Sequence, residues 1–432
     1  MAGLLIVGIL WSIRHIQSTE AILDGHPHEL AALWVIVFVT LTWHVTLSLA
    51  ERVYKSPPGT EDELDALRVT TVVPVYNEDP NALLLTVRGL FQQTRPLNRI
   101  HIVDDGSSED YDWIRAHFWE LASEHPHIEC EWTRKDNGGK RSAQMVGFLA
   151  DPHADIFQTI DSDVVLDPHC VEEGLKPFLD WRVASVASII LAYNTKTSIV
   201  TRLTDTWLMA FQLCVRSALS TLGSVLVNSG NSAFYRAAVI WRGLESYDNE
   251  RFLGRPVQFS DDSLLTLFAY TLGRTVQQPT SFAFTVLPEN TSHHLRVQMR
   301  WMRGSFIRSW WRFRYLPIWS FAYWEHFFSW LNFVLVTVAF SILFIWKPIA
   351  HHYWQPLMFL FAVLVSYVSA VKYLAIRRSD HSFAYQFGTY LMTPIMLLWT
   401  AFVLRPLRIY CMFTARKTGW GTRSAVEVKV DA

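Results

Sequence analysis

The triplet Asp161-Ser162-Asp163 follows an apolar run, 156–160. If that run is a strand, alternation sets both aspartates on one side and Ser162 on the other. Two carboxylates side by side repel each other unless a cation lies between them. A hard divalent ion that also grips a diphosphate would serve. A turn at a strand end uses the same residue types, so the triplet alone reads either way. Other clusters carry compatible chemistry. Tyr76, in Pro74-Val75-Tyr76-Asn77-Glu78, offers a ring to stack on a base, or a half-buried aromatic. Asp105, in Asp104-Asp105-Gly106-Ser107-Ser108, suits hydrogen bonds from a base or ribose, or a helix cap. Gly138-Gly139-Lys140-Arg141 brings two cations to a helix start, where backbone approaches closely: a diphosphate cradle or a solvated loop. Asp261-Asp262 precedes an apolar helical run. Adjacent carboxylates split their protonation, although acids also favour a helix N-terminus for its dipole alone.

These clusters need elements to hold them. Strands are expected at 68–73, 99–103, 129–133 and 156–160, alternating with helices at 82–93 and 111–124 and one opened by Lys140-Arg141. Such alternation marks an α/β fold with a mostly parallel sheet and helices on both faces. Ligands bind such sheets beyond the carboxyl ends of the strands, where the clusters fall.

Composition places this domain beside a membrane. Of 432 residues, 50% are hydrophobic and 18% charged, with 19 Trp and 27 Phe, too apolar for an ordinary soluble chain. A formal net charge of −1 supplies no field for nucleic acid. Cys130, Cys170, Cys214 and Cys411 show no paired spacing, which argues against a disulfide framework or zinc site and fits a reducing cytosolic face.

The uncharged stretch 30–50 is long enough to span a bilayer, and 1–16 is short for one. Arg52 and Lys55 follow the span, whereas Glu20, Asp24 and Glu29 precede it, so the positive-inside rule puts the α/β domain in the cytoplasm. His44, within the span, is expected to face inward and be hydrogen-bonded. Residues 201–222 form a candidate interface helix. In 296–325, Arg296, Arg300, Arg303, Arg308, Arg312 and Arg314 alternate with aromatics, which reads as a helix at the membrane interface. Further spans are expected at 326–346 and 353–375. The stretch 383–413 is apolar, about 30 residues long, and broken by Pro394 and Pro406. The resulting division is 1–52 membrane, 53–295 cytosolic, 296–325 interface, 326–413 membrane and 414–432 cytosolic tail.

In order, PVYNE, DDGSS, NGGKR and DSD resemble the motifs of the inverting family-2 glycosyltransferases. Ser229-Gly230-Asn231-Ser232-Ala233-Phe234-Tyr235-Arg236 resembles the acceptor-side segment of hyaluronan and chitin synthases. Ser260-Asp261-Asp262-Ser263 resembles their G-D-D-R element, Val297-Gln298-Met299-Arg300-Trp301 the Q-Q-x-R-W of processive members, and Trp420-Gly421-Thr422-Arg423 their W-G-T-R. The likeness is greatest to hyaluronan synthases, with cellulose synthase more distant.

The resemblance implies a GT-A-type nucleotide-sugar domain inserted between transmembrane helices. Asp262 would be the base, with Asp261 beside it, and Asp161 and Asp163 would carry Mg2+ or Mn2+. Tyr76, Glu78, Asp105, Lys140, Arg141, Asp161, Gln298, Arg300, Trp301, Trp420, Thr422 and Arg423 would bind the UDP-sugar. Ser229, Gly230, Asn231, Tyr235, Arg236 and Trp301 would hold the acceptor.

The implied enzyme is a multi-pass protein of the cell membrane, catalytic on its cytoplasmic side. It would polymerise UDP-GlcNAc and UDP-GlcA and extrude the growing polysaccharide across the bilayer, with no nucleic-acid partner. A chitin-like or other single-sugar synthase and a lipid glycosyltransferase are alternatives. A transporter with a nucleotide-binding domain is the rival class, disfavoured because binding alone needs no base. Val297 replaces the first Gln of the processive motif and Ser263 replaces an Arg, so an amide and a cation expected at the site are missing from the chain sequence there.

Overall fold

The computed structural model describes residues 31–346, 349, 356–378, 380–419 and 428, and its centre is an eight-stranded sheet. Expectations for 1–30, for most of the 347–352 turn and for Trp420, Thr422 and Arg423 lie outside the described residues.

Strands β1 (Val69–Val75), β2 (Arg99–Asp104), β3 (Glu129–Arg134), β4 (Ile156–Thr159), β5 (Val164–Leu166), β6 (Val183–Ala192), β7 (Ala233–Arg236) and β10 (Arg274–Thr285) take the order β3-β2-β1-β4-β7-β6-β10-β5. Strands β8 (Arg251–Phe252) and β9 (Arg255–Pro256) form a separate ribbon. Pairing is parallel through β3-β2-β1-β4 and between β6 and β10. Strand β7 enters antiparallel between β4 and β6, and β5 closes the far edge antiparallel to β10. The sheet is therefore mostly parallel, as the alternation predicts. Every residue of β1 and β6 is buried, because helices cover both faces.

Helices α1 (Ala31–Leu49) and α2 (Glu61–Asp65) precede the sheet. Helices α3 (Pro80–Phe91) and α4 (Asp112–Glu124) cover one face, where Leu83, Leu90 and Phe118 pack with Val73 and Ile102. The helix expected from 82 starts at Pro80, since proline fits a first turn and Asp79 caps it by accepting from the Ala82 N–H. Helices α5 (Lys140–Leu149), α9 (Ala237–Asp248) and α10 (Asp261–Leu272) cover the other face, with Phe148, Ile240 and Leu264 against Val72 and Phe157. Helix α6 (Cys170–Leu175) joins the first layer through Val171 and Leu175.

The expected 201–222 helix is α7 (Ile199–Ala210), which continues through a π turn, Phe211–Arg216, into α8 (Ser217–Thr221). Helix α8 docks on α1, with Thr221 Oγ1 donating to the Leu47 carbonyl at 2.9 Å. Just past α1, Glu51 ties the sheet to a later helical stretch: it pairs with Lys372 at 3.0 Å and accepts from Gln277 at 3.0 Å.

The basic stretch is helix α11 (Thr291–Tyr315), followed by α12 (Phe321–Ser341), α13 (Pro356–Ala370), α14 (Phe383–Leu391), α15 (Thr393–Trp399) and α16 (Arg405–Phe413). Two helical runs, Phe321–Trp346 and Phe383–Phe413, are long and apolar enough to cross a membrane by length and composition. The second is interrupted at Met392, ahead of Pro394, and α14 is held to α7 by Arg202, which donates to Thr389 Oγ1 at 3.0 Å. His44 faces inward, with Nε2 2.9 Å from Glu325 Oε1. Of the arginines of α11, Arg308 and Arg312 are buried. They turn inward because acids and carbonyls of the α/β domain await them.

Candidate active site

A cavity of about 690 Å³ opens at the carboxyl ends of β1 and β4 and gathers most of the expected residues. Tyr76, Glu78, Asp105, Lys140, Asp161, Asp163, Ser229, Gly230, Asn231, Asp261, Asp262, Gln298, Arg300 and Trp301 all line it.

Asp161-Ser162-Asp163 forms the turn between β4 and β5, so the turn reading and the chemical reading hold together. Ser162 donates to Glu78 Oε2 at 2.8 Å, and both residues line the cavity, so Glu78 helps to orient the turn. Gly230 faces three charged side chains of the site. A Cβ there would lie 3.6 Å from Asp262 Cβ, 3.7 Å from Asp161 Oδ2 and 3.3 Å from Lys140 Nζ. Asp161 and Asp262 therefore face one small space, and a side chain at 230 would fill it.

Lys140 pairs with Asp161 Oδ1 at 2.6 Å and with Asp261 Oδ2 at 3.0 Å. Burial works against its ammonium, but Asp161 and Asp261 outweigh burial and raise its pKa. It lies between these two acids at the cavity wall.

The two aspartates of α10 titrate in opposite directions. Burial opposes the Asp261 carboxylate, yet Lys140 outweighs it and holds Asp261 below the usual range. Burial and then the charge of Asp261 push Asp262 up to about 6. Asp262 Oδ1 accepts from the Ser263 N–H at 2.6 Å, and Oδ2 from the Gly230 N–H at 3.2 Å. Those bonds aim a carboxylate that is half-way to protonation at neutral pH's acid side, the profile of a general base.

Four expected contacts are relocated. Arg141 is buried beneath the site, pairing with Glu250 Oε2 at 2.6 Å and donating to the Phe259 carbonyl, because a deep carboxylate outcompetes the helix start for it. Arg236 lies at the opposite end of the sheet: β7 runs antiparallel, so its guanidinium bonds the carbonyls of Val183 and Phe178. Tyr235 is fully buried below α10, its hydroxyl donating to the Asp262 carbonyl at 3.3 Å, and so positions Asp262 from underneath. Asp105 touches the cavity, but its oxygens accept from Lys135 Nζ and from the N–H groups of Gly138 and Gly139 at 2.7–2.9 Å. It clamps the glycine loop.

Residues outside the motifs complete the site. Glu250 Oε1 accepts from Arg308 at 2.9 Å and from the Trp311 indole at 2.7 Å. Burial opposes its charge, but Arg308 and Arg141 keep it below the usual carboxylate range. Arg308 Nε also donates to Ser263 Oγ at 3.3 Å. The cation absent from position 263 thus arrives in space from α11. Gly304 permits this approach, since a Cβ there would meet Ser260 Cβ at 2.9 Å. Trp301 stacks on Trp207 of α7, with centroids 6.2 Å apart and planes at 13°, and both rings line the cavity. Trp207 lies in the stretch expected as an interface helix, and no motif marks it. Glu250 has no motif around it, and no sequence signal marks it.

Among the described residues, no three His, Cys, Asp or Glu group to hold a metal by themselves. Asp161 and Asp163 both line the cavity and offer hard oxygen donors. That set fits Mg2+ or Mn2+, which take one or two carboxylates and complete their shell with phosphate oxygens and water.

Residues 70–244 match the model for "Glycosyl transferase family 2". Among curated proteins, a hyaluronan synthase from Streptococcus pyogenes is 34% identical over 405 residues, 91% of each chain. An N-acetylglucosaminyltransferase from Azorhizobium caulinodans is 34% identical over 252 residues, 56% of this chain and 62% of that one. A mannosyltransferase from Pyrobaculum calidifontis, solved with GDP-Man and Mn2+, shares the fold with a TM-score of 0.55 at 16% identity, covering 90% of this chain and 99% of that one. With a GT-A-like sheet, acids and a stacking platform around one cavity, and this likeness along nearly its whole length, the chain belongs to the family-2 glycosyltransferases, among the hyaluronan synthase-like enzymes.

Proposed function

We propose that the protein polymerises sugars from UDP-sugar donors at the cytosolic side of a membrane and passes the product between its own helices, with hyaluronan from UDP-GlcNAc and UDP-GlcA as the product. The observation that carries this reading is the shared cavity: Asp161, Asp163 and Asp262 face it together, and its lining continues onto α11, α12 and α16.

In the proposed transfer, the acceptor hydroxyl gives its proton to the Asp262 carboxylate. Its oxygen then bonds to the anomeric carbon as the bond from that carbon to the phosphate oxygen breaks. UDP leaves with that electron pair, and the anomeric configuration inverts. Lys140, held between Asp161 and Asp261, keeps these acids charged next to the leaving diphosphate. A bound Mg2+ or Mn2+ on Asp161 and Asp163 supplies charge neutralisation of that diphosphate. Trp301 and Trp207 give a flat apolar face for a sugar ring. Apolar Val297, buried at the cavity wall, leaves Gln298 as the amide of that motif beside the ligand.

Membranes bearing the full chain, incubated with labelled UDP-sugars singly and in pairs, test the product. Polymer made only when UDP-GlcNAc and UDP-GlcA are both present supports hyaluronan. The likeness to N-acetylglucosaminyltransferases over the catalytic half favours a second reading, a single-sugar product, which polymer from UDP-GlcNAc alone would establish.

A further inference from the structure

Among the described residues, three other than glycine hold a left-handed backbone: Asn77, Leu253 and Ser260. Ser260 directly precedes Asp261 and Asp262 and lines the cavity with them. It stands at the N-cap of α10 with φ 61° and ψ 39°, yet its side chain makes no cap bond. A serine in that place ordinarily has an extended backbone and accepts from an N–H of the first turn. Helix capping therefore does not account for it. Glycine takes a left-handed backbone freely, whereas a side chain there costs strain. Strain kept beside a reacting group implies a use for the side chain.

The hydroxyl has one. Ser260 Oγ and Ser263 Oγ share a hydrogen bond. The two serines bracket Asp261 and Asp262, so this bond staples the first turn of α10 across both aspartates. From α11, Arg308 grips each end of the staple. Its Nη2 donates to the Ser260 carbonyl at 3.1 Å and its Nε to Ser263 Oγ at 3.3 Å. Helix α11 comes this close because position 304 has no side chain: a Cβ there would lie 2.9 Å from Ser260 Cβ and 3.1 Å from Ser260 Oγ. The far end of the staple reaches the reacting group. The Ser263 N–H donates to Asp262 Oδ1 at 2.6 Å, so whatever fixes residue 263 fixes the direction of that carboxylate.

We propose that Ser260 is a positioning residue for the transfer step, its hydroxyl holding Ser263, and through Ser263 the Asp262 carboxylate, at the angle that takes the acceptor proton. The inference rests on Asp262 as the base in the proposed function and adds to it the device that aims the base. A small misplacement of a reacting group is felt in the chemical step, because the geometry of attack is steep. Ser260 touches no part of the donor in this role, so donor affinity is independent of it.

The test measures initial rates over a range of UDP-GlcNAc and UDP-GlcA concentrations, with the full chain in membranes, for Ser260→Gly, Ser263→Ala and the double variant. Ser260→Gly suits the backbone and removes only the hydroxyl. Its thermal midpoint should equal or exceed that of the unaltered protein, while kcat falls about fivefold, the worth of one neutral hydrogen bond. KM for each UDP-sugar should stay the same, as expected of an interaction made in the transition state alone. Ser263→Ala also deprives Arg308 Nε of its acceptor, so kcat should fall at least as far. The double variant should be no slower than Ser263→Ala, since both substitutions break one link. Unaltered kcat in Ser260→Gly, a loss that appears in KM instead, or losses that multiply in the double variant would each overturn the assignment. Thermal unfolding identifies a variant that fails to fold, and unaltered kcat in the remaining single variant then overturns it too. Unimpaired transfer by Asp262→Asn would instead overturn the base reading, a separate result from the same assay.

Discussion

Asp262 is balanced between burial and the neighbouring Asp261, which raise its pKa, and Lys140, which lowers it. The outcome, about 6, predicts the acid side of the pH profile. Below that pH the carboxylate holds its own proton and cannot take one from an acceptor. The rate should fall about tenfold per unit further down, with little change from pH 7 to 8 on this account. A pH series of initial rates checks it; a flat profile down to pH 5 would remove Asp262 as base. Replacing Asp262 with Asn keeps the shape but leaves a single oxygen to accept, so one of its two backbone contacts is lost together with the proton acceptor. Transfer should drop by about 10²–10⁴-fold, with UDP-sugar binding, measured by titration, retained. Unimpaired transfer by that variant would sink the assignment.

At the scale of elements, the site depends on how α11 meets α10 and the ribbon that follows Glu250. Glu250 sits between Arg141 and Arg308, so it joins α5 to α11 through one buried carboxylate. Glu250→Gln would leave two buried guanidiniums facing each other without an anion. The expected loss is about 3–5 kcal/mol of stability, read from the thermal or denaturant midpoint of the purified protein. Transfer should fall as well, because Arg308 would no longer be held at Ser263 beside the base. A midpoint unchanged by this substitution would show that the network is not what fastens α11. None of this is visible in a motif. Arg308 reads as one of six basic residues along an interface helix, and only the fold turns it inward.

At the scale of the molecule, the α/β domain and the long helices share one cavity, which under the proposed function would set donor, acceptor and exit in series. Asp161 and Asp163 provide only part of a coordination shell, so a metal held there should exchange. A chelator is therefore expected to stop transfer, and added Mn2+ or Mg2+ to restore it. Activity that persists after chelation would leave the cation's work to Lys140. Fastening at the boundary, through Glu51 with Lys372 and Arg378 with Asp205, keeps the two parts in register.

By itself the sequence determined the alternating α/β frame, the apolar helices and the order of the acidic clusters. Those follow from local properties: side-chain period, turn chemistry and runs of apolar residues. Asp161 and Asp163 were placed at the edge of the sheet by the strand they follow, whereas Asp262, at a helix start outside the parallel strands, was joined to them only through the resemblance. Only the tertiary structure decided which cations serve them. Lys140 goes between the acids, Arg141 goes under them to Glu250, and Arg236 goes to the far end of the sheet. A long charged side chain reaches whichever buried partner best offsets its loss of water. That partner is chosen by the packing of distant segments, which no local spacing records.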